Sequence, residues 1–178
     1  MIFTIHVTHA KSCDYAQLQT KAYAAALLSV DHPDRVDEMV AARMERQRVL
    51  KREQPPAVWV VLDESVLYRM VGDREVMRGQ LAHLLSFRND QSVHIQVLPY
   101  SVGAHTGMMG SFNLLRFEEH PDLYYCESYD QGHMTANPQV IRERSVGYAR
   151  LQAGALSPEG SADLMARVME ERYGAEVA

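Results

Sequence analysis

Apolar residues along this chain change period several times, and each change marks an element. Ala57-Val58-Trp59-Val60-Val61-Leu62 is six apolar residues, rich in β-branched types and bounded by turn signals. That run predicts a strand buried on both faces and central in its sheet. Val93-His94-Ile95-Gln96-Val97 alternates instead, which predicts a strand with one wetter face. The opening Ile2-Phe3-Thr4-Ile5-His6-Val7 reads as a first strand. Gly110 to Phe117 and Leu123 to Glu127 read as two more, joined by a hairpin through Glu118-Glu119-His120-Pro121-Asp122.

Between the strands the period lengthens to that of a helix. Leu18 to Val30 is rich in Ala and Leu, both good helix formers, and Asp31-His32-Pro33-Asp34 breaks it. A second helix is predicted from Arg35 to Glu53, with Val36, Met39, Val40 and Leu50 on one side and Pro55-Pro56 as its stop. Glu75 to Arg88 repeats helical spacing through Met77, Leu81, Leu84 and Leu85. Pro138 to Ala153 does so through Val140, Ile141, Tyr148 and Leu151. Ser157-Pro158-Glu159 supplies an N-cap, a proline at the first helical position and an acid in the first turn. It opens a last helix to Tyr173. With no repeat, low-complexity tract or dividing linker, the prediction is one mixed α/β (α+β) domain over residues 1–178. Its sheet should hold about four to six strands, flanked by about five helices.

Composition narrows the function. The chain has 178 residues, the size of one domain, and its 18 Lys+Arg against 23 Asp+Glu give a net charge of −5. That balance disfavours direct nucleic-acid binding and attraction to an anionic membrane. No apolar run approaches the roughly 18 to 20 residues of a membrane span, and the N-terminus has no signal-peptide pattern. Cys13 and Cys126 make neither a metal spacing nor a redox pair, and point to a reducing cytoplasm.

The richest segment chemically is Ser101-Val102-Gly103-Ala104-His105-Thr106-Gly107-Met108-Met109-Gly110-Ser111-Phe112, a glycine-rich connection between two predicted strands. Such a loop can line a pocket, because glycine takes positive φ and lets another group come close. It is neither a phosphate-binding loop nor a dinucleotide fingerprint, so no cofactor is implied. His105, Ser111 and Glu127 would form a hydrolase triad only if the fold brought them together, and the nucleophile elbow is absent. His6 and His9 lie in strand sequence, and the eight histidines show no zinc spacing, so no metal is predicted. His94 and His133 are candidates to line a cavity. On the second helix Arg43 and Gln47 share a stripe with Val36, Val40 and Leu50, so both should point inward. A buried guanidinium needs a carboxylate, and Asp63 or Glu64 after the central strand is the expected partner.

Several segments then resemble a known family. They are Val40-Ala41-Ala42-Arg43-Met44-Glu45-Arg46-Gln47, Leu62-Asp63-Glu64, Val71-Gly72 and Met77-Arg78-Gly79-Gln80-Leu81. Val97-Leu98-Pro99-Tyr100, Gly103-Ala104-His105, Gly110-Ser111-Phe112 and Ala155-Leu156-Ser157-Pro158-Glu159-Gly160-Ser161 follow in order. Together, over about Leu18 to Arg172, they resemble an actinobacterial domain of unknown function. That domain usually follows the helix-turn-helix of Streptomyces-type transcription regulators. The resemblance implies a sensory or protein-interaction domain, often encoded near small partner proteins. Two features differ: no helix-turn-helix precedes residue 18, and Tyr15-Ala16-Gln17-Leu18-Gln19-Thr20 stands where the family usually has Pro-Gly-Leu-Leu-Gln-Thr.

The expected function is a stand-alone module that senses a small molecule or docks on a small partner protein, with Arg43, Gln47, Tyr100, Ser111 and His133 as ligand contacts. The alternative is an enzyme of specialised metabolism, a cyclase, isomerase or hydrolase. There His105 would be the general acid/base and Glu64 or Glu127 the orienting carboxylate. A homodimer using Met39, Met44, Met108 and Met109 is a third expectation, since methionine adapts to a contact surface.

Overall fold

The structure is a computed structural model that describes residues 16–127 and 131–174, and the backbone of residues 2–9. Six strands form one mixed sheet in the order β3-β2-β1-β4-β5-β6. They are β1 (Ile2–His9), β2 (Ala57–Asp63), β3 (Val93–Leu98), β4 (Phe112–Phe117), β5 (Leu123–Glu127) and β6 (Gly132–Thr135). β1, β2 and β3 run parallel, with Val60 level with Val7 on one side and Ile95 on the other. β4, β5 and β6 continue antiparallel from the other edge of β1. The long apolar run is therefore an interior strand, and Glu118–Asp122 is a hairpin connection, as their patterns predict. The mixed α+β prediction holds.

The helices are α1 (Lys21–Leu28), α2 (Val36–Gln47), α3 (Arg74–Leu85), α4 (Pro138–Gly154) and α5 (Pro158–Tyr173). Alternation along the strands sorts the core into two layers. Val58, Val60 and Leu62 of β2 and Val93, Ile95 and Val97 of β3 pack with Tyr23, Leu81, Leu84, Met165 and Val168, from α1, α3 and α5. Val61, Leu98, Phe112, Leu114 and Tyr124, on the opposite face, meet Tyr148 and Leu151 of α4. α2 lies against α1 through Val40, Ala24 and Leu28. No helix among the described residues is long and apolar enough to cross a membrane.

Three details depart from the sequence pattern; the simplest is that α2 ends at Gln47, short of Glu53, and tightens into a 3₁₀ turn over Arg48–Lys51. The first helix starts at Lys21 rather than Leu18, because the backbone of Leu18–Thr20 is claimed by side chains from elsewhere. Gln80 of α3, buried at 2% exposure, accepts from Thr20 N at 2.7 Å and donates to Leu18 O at 2.8 Å. Thr20 then caps α1 through Tyr23 N. Another is β6, whose Gly-His-Met-Thr has no apolar alternation and becomes a strand only by pairing with β5. It has no signal of its own.

The β3 edge is covered. Val97 N donates to Ser161 Oγ at 2.8 Å, Leu156 N donates to Val97 O at 2.9 Å, and the Gln96 side chain donates to Leu156 O at 2.8 Å. The α4–α5 connection thus occupies the edge that would otherwise present unpaired backbone groups. It also fixes the end of β3, from which Pro99 and Tyr100 enter the glycine-rich connection.

Candidate functional site

Open α/β sheets bind ligands beyond the carboxyl ends of their parallel strands, where the strand order reverses. Here the chain leaves β3 and passes to β4, on the far side of β1, through residues 99–111. This places the glycine-rich connection at the ends of the parallel strands. Gly103 at φ +68° and Gly110 at φ +126° take left-handed backbone conformations that L side chains rarely adopt. Two short 3₁₀ turns, Tyr100–Val102 and Thr106–Met109, fill the connection.

His105 is the anchor of this loop. Its Nε2 lies 3.4 Å from Asp63 Oδ2 at the end of β2, with side chains only 11% and 16% exposed. Asp63 Oδ1 accepts from both the backbone N and the hydroxyl of Ser65, so the carboxylate is held rigidly. His105 Nδ1 is buried and makes no hydrogen bond among the described residues. Gly107 comes so close that a methyl added there would stand 3.0 Å from Nδ1. Thr106 Oγ1 donates to Gly147 O of α4, tying the loop to the opposite layer.

Glu64 follows Asp63 and does separate work. Its Oε2 accepts from Tyr100 N at 2.7 Å, and the Tyr68 phenol lies close enough to feel the same carboxylate. The Tyr68 and Tyr100 rings are 6.2 Å apart. Arg172 of α5 places its guanidinium 5.4 Å from the Tyr68 ring, and Tyr173 Oη donates to Leu67 O, anchoring α5 here. Burial, then the neighbouring carboxylates Asp63 and Glu64, push the Tyr100 hydroxyl above its ordinary range. Burial and Glu64 do the same to Tyr68. Both phenols therefore stay protonated as hydrogen-bond donors. Tyr100, Val102, Met108 and Met109 are exposed along the loop, Met109 at 88%.

The structure brings together His105, Glu64 and Tyr100 from the expected set and places the others elsewhere. The carboxylate against His105 is Asp63, not Glu64 or Glu127. Glu127 is exposed on β5, three strands from β2, and accepts from Tyr125 Oη at 2.8 Å. Ser111, half-buried before β4, makes no hydrogen bond with His105 or Glu127 among the described residues. His133 is exposed on β6. His94 stacks its ring 4.1 Å from Trp59 at the other end of β3. Cys126 is a free, half-buried thiol; Cys13 lies outside the described residues, as do the side chains of His6 and His9.

Arg43 and Gln47 do point inward, but to a backbone segment. Arg43 Nη1 donates to Gln19 Oε1 at 2.6 Å, while Gln47 Nε2 donates to Ala16 O at 2.9 Å and Gln19 O at 2.6 Å. The expected Asp63 and Glu64 partners are spent at the other site, and α2 packs on residues 16–19 instead of the ends of β2. With Gln80 these residues clamp Leu18-Gln19-Thr20 between α2 and α3. Among the described residues, no three His, Cys, Asp or Glu side chains group as a metal site.

The 99–111 loop, Asp63, Glu64, Tyr68 and the clamp all fall inside one family match: the Domain of unknown function (DUF5753) covers residues 6–167. The chain belongs to this family. No curated protein and no solved structure matches it. The DUF5753 match therefore fixes kinship without chemistry, and the geometry at the strand ends is what bears on function.

Proposed function

We propose that this DUF5753 domain is a binding module of a cytoplasmic regulatory circuit, akin to the C-terminal domains of actinobacterial helix-turn-helix regulators. It takes a small molecule or a segment of a small partner protein at the ends of β1, β2 and β3, against the 99–111 loop. The observation that carries this reading is the Asp63–Glu64–Tyr68–Tyr100 cluster beneath an exposed apolar loop latched by His105. Protonated phenols, two carboxylates and the exposed Tyr100, Met108 and Met109 suit a ligand with an apolar body and a basic or hydroxyl group.

An enzyme is the second reading, favoured by the His105–Asp63 contact, in which a carboxylate orients an imidazole. It requires His105 Nδ1 to reach a substrate, whereas Gly107 packs over that atom. Binding is preferred for this reason.

The test incubates the protein with a host-cell small-molecule extract and analyses retained and soluble fractions by mass spectrometry. Wild type should retain a compound of unchanged mass, and a Tyr100→Ala/Glu64→Gln variant should lose it. Retention by that variant equal to wild type refutes this site. A mass consumed and replaced by wild type, but not by His105→Ala, establishes the enzyme instead.

A further inference from the structure

Residues 104–109 of the glycine-rich connection form a short unit closed on itself. Met108 N donates to His105 O and Gly110 N to Gly107 O, each at 3.1 Å. At its two ends Gly103 and Gly110 take positive φ, and a side chain added at either would meet open space. Gly107 is buried near Leu151 but has no side chain to interlock with it. Among the described residues two polar contacts hold the unit to the rest of the fold: His105 Nε2 to Asp63 Oδ2, and Thr106 Oγ1 to Gly147 O. Both measure 3.4 Å, beyond the roughly 3.2 Å that bounds a good hydrogen bond. What the unit covers is a carboxylate. Asp63 Oδ1 is satisfied by the backbone N and hydroxyl of Ser65, whereas Oδ2 faces the imidazole, and the side chain is only 16% exposed. No lysine or arginine pairs with Asp63 among the described residues: Arg69 lies near Tyr100, and Arg172 stands over Tyr68. A nearly buried carboxylate favours a close, charged donor, and the distant imidazole serves Oδ2 poorly.

We propose that His105 is a built-in plug standing where a ligand's ammonium group binds. Residues 104–109 swing out about Gly103 and Gly110, and a primary or secondary amine takes Asp63 Oδ2 in place of the imidazole. This rests on the binding reading above and names the ligand's basic group and what controls its entry. Glu64 is next in sequence, and the Tyr100 hydroxyl feels both carboxylates, so the uncovered spot suits a cation. The exposed Tyr100, Met108 and Met109 offer an apolar body a surface beside it. Gly107 travels with His105, so opening parts the imidazole from Asp63 while Nδ1 stays packed. The open state is therefore a carboxylate ready for a cation, and not an Asp–His catalytic pair.

A disulfide staple tests this. A Cβ at Gly147 would lie 4.0 Å from Thr106 Cβ, within the span a disulfide bridges, so Thr106→Cys/Gly147→Cys locks the lid reversibly. Diethyl pyrocarbonate modification, read for each histidine by peptide mass spectrometry, should be about tenfold or more slower at His105 in the oxidised than in the reduced variant. Exposed His120 and His133 are the internal standards. From the small-molecule extract the reduced variant should retain a compound that the oxidised variant does not, and acetylating the extract's amines should abolish retention. His105→Ala, shown folded by circular dichroism, should bind that compound about tenfold more tightly than wild type. Equal His105 modification in both redox states overturns the lid. Equal retention by the oxidised variant, or from the acetylated extract, overturns the displaced plug. So does a His105→Ala protein that binds no better than wild type, the result expected of a merely structural latch. Protection of His105 with no compound retained by wild type overturns the binding reading, and the ammonium assignment with it, while the lid's motion stands.

Discussion

Ser161→Ala offers the sharpest stability test, because the hydroxyl is fully buried and its partners are all known. Ser161 Oγ accepts from Val97 N at 2.8 Å and donates to Ser157 O at 2.8 Å, with Leu156 O a longer alternative acceptor at 3.4 Å. Removing the oxygen leaves the Val97 N–H of an edge strand buried with no acceptor, a cost of about 1–3 kcal/mol. Ser157 O keeps the backbone bond from Ser161 N, so losing its second donor adds roughly 0.5 kcal/mol. Alanine's better helix propensity returns about the same amount. The net loss is about 2 kcal/mol, which for a chain of this size lowers Tm by about 4–8 °C. Where the Val97 amide exchanges through global opening, exchange should accelerate about 30-fold, the same free energy read through a second observable. Ser157→Ala is the control, since it removes only an exposed N-cap accepting from Gly160 N, at about 1 kcal/mol. A Ser161→Ala protein that loses less than about 0.5 kcal/mol in denaturant unfolding would refute the reasoning, since an orphaned buried N–H costs more than that.

Gln47→Ala should cost about 1–3 kcal/mol by orphaning the carbonyls of Ala16 and Gln19, measured by urea unfolding, while ligand retention per folded molecule is unchanged. A loss of retention with full stability would return Gln47 to the binding site. Gly107→Ala should crowd His105 Nδ1 and displace the imidazole, seen as a shift in its NMR ring resonances that a Gly79→Ala control, where nothing lies nearby, does not produce. Burial pushes the Tyr148 hydroxyl well above its ordinary range, and burial followed by Cys126 pushes Tyr124 up to about 12. Both folded values exceed the unfolded value of about 10, so this contribution is fully present below pH 10 and is lost as pH rises from there towards the folded values. Tyr148→Phe should flatten the stability curve above about pH 10, and an unchanged slope would contradict the burial argument. Burial, then Lys51, pushes the His83 imidazole below its ordinary range, so stability should fall as pH drops from about 6.5 towards the folded value; His83→Gln should remove that slope in acid unfolding curves.

Much of the fold is legible in the chain itself. The β2 run, the α3, α4 and α5 stripes and the Ser157-Pro158-Glu159 cap each encode their element locally, because period, propensity and capping act within a few residues. The inward turn of Arg43 and Gln47 is likewise readable from helical spacing, and Gly103 and Gly110 announce a loop that needs positive φ. What each polar group meets is another matter. Arg43 finds Gln19, Gln80 grips Leu18 and Thr20 from 60 residues away, and His105 settles on Asp63 across 42 positions. β6 exists only because β5 offers it a ladder. Those pairings depend on strand order and on how helices stack, which no local pattern carries, since hydrogen bonds select partners by distance and angle in space. Sequence determined which residues form helix and strand and which side chains must turn inward; tertiary structure decided that two of them clamp a backbone while the loop histidine anchors the strand ends.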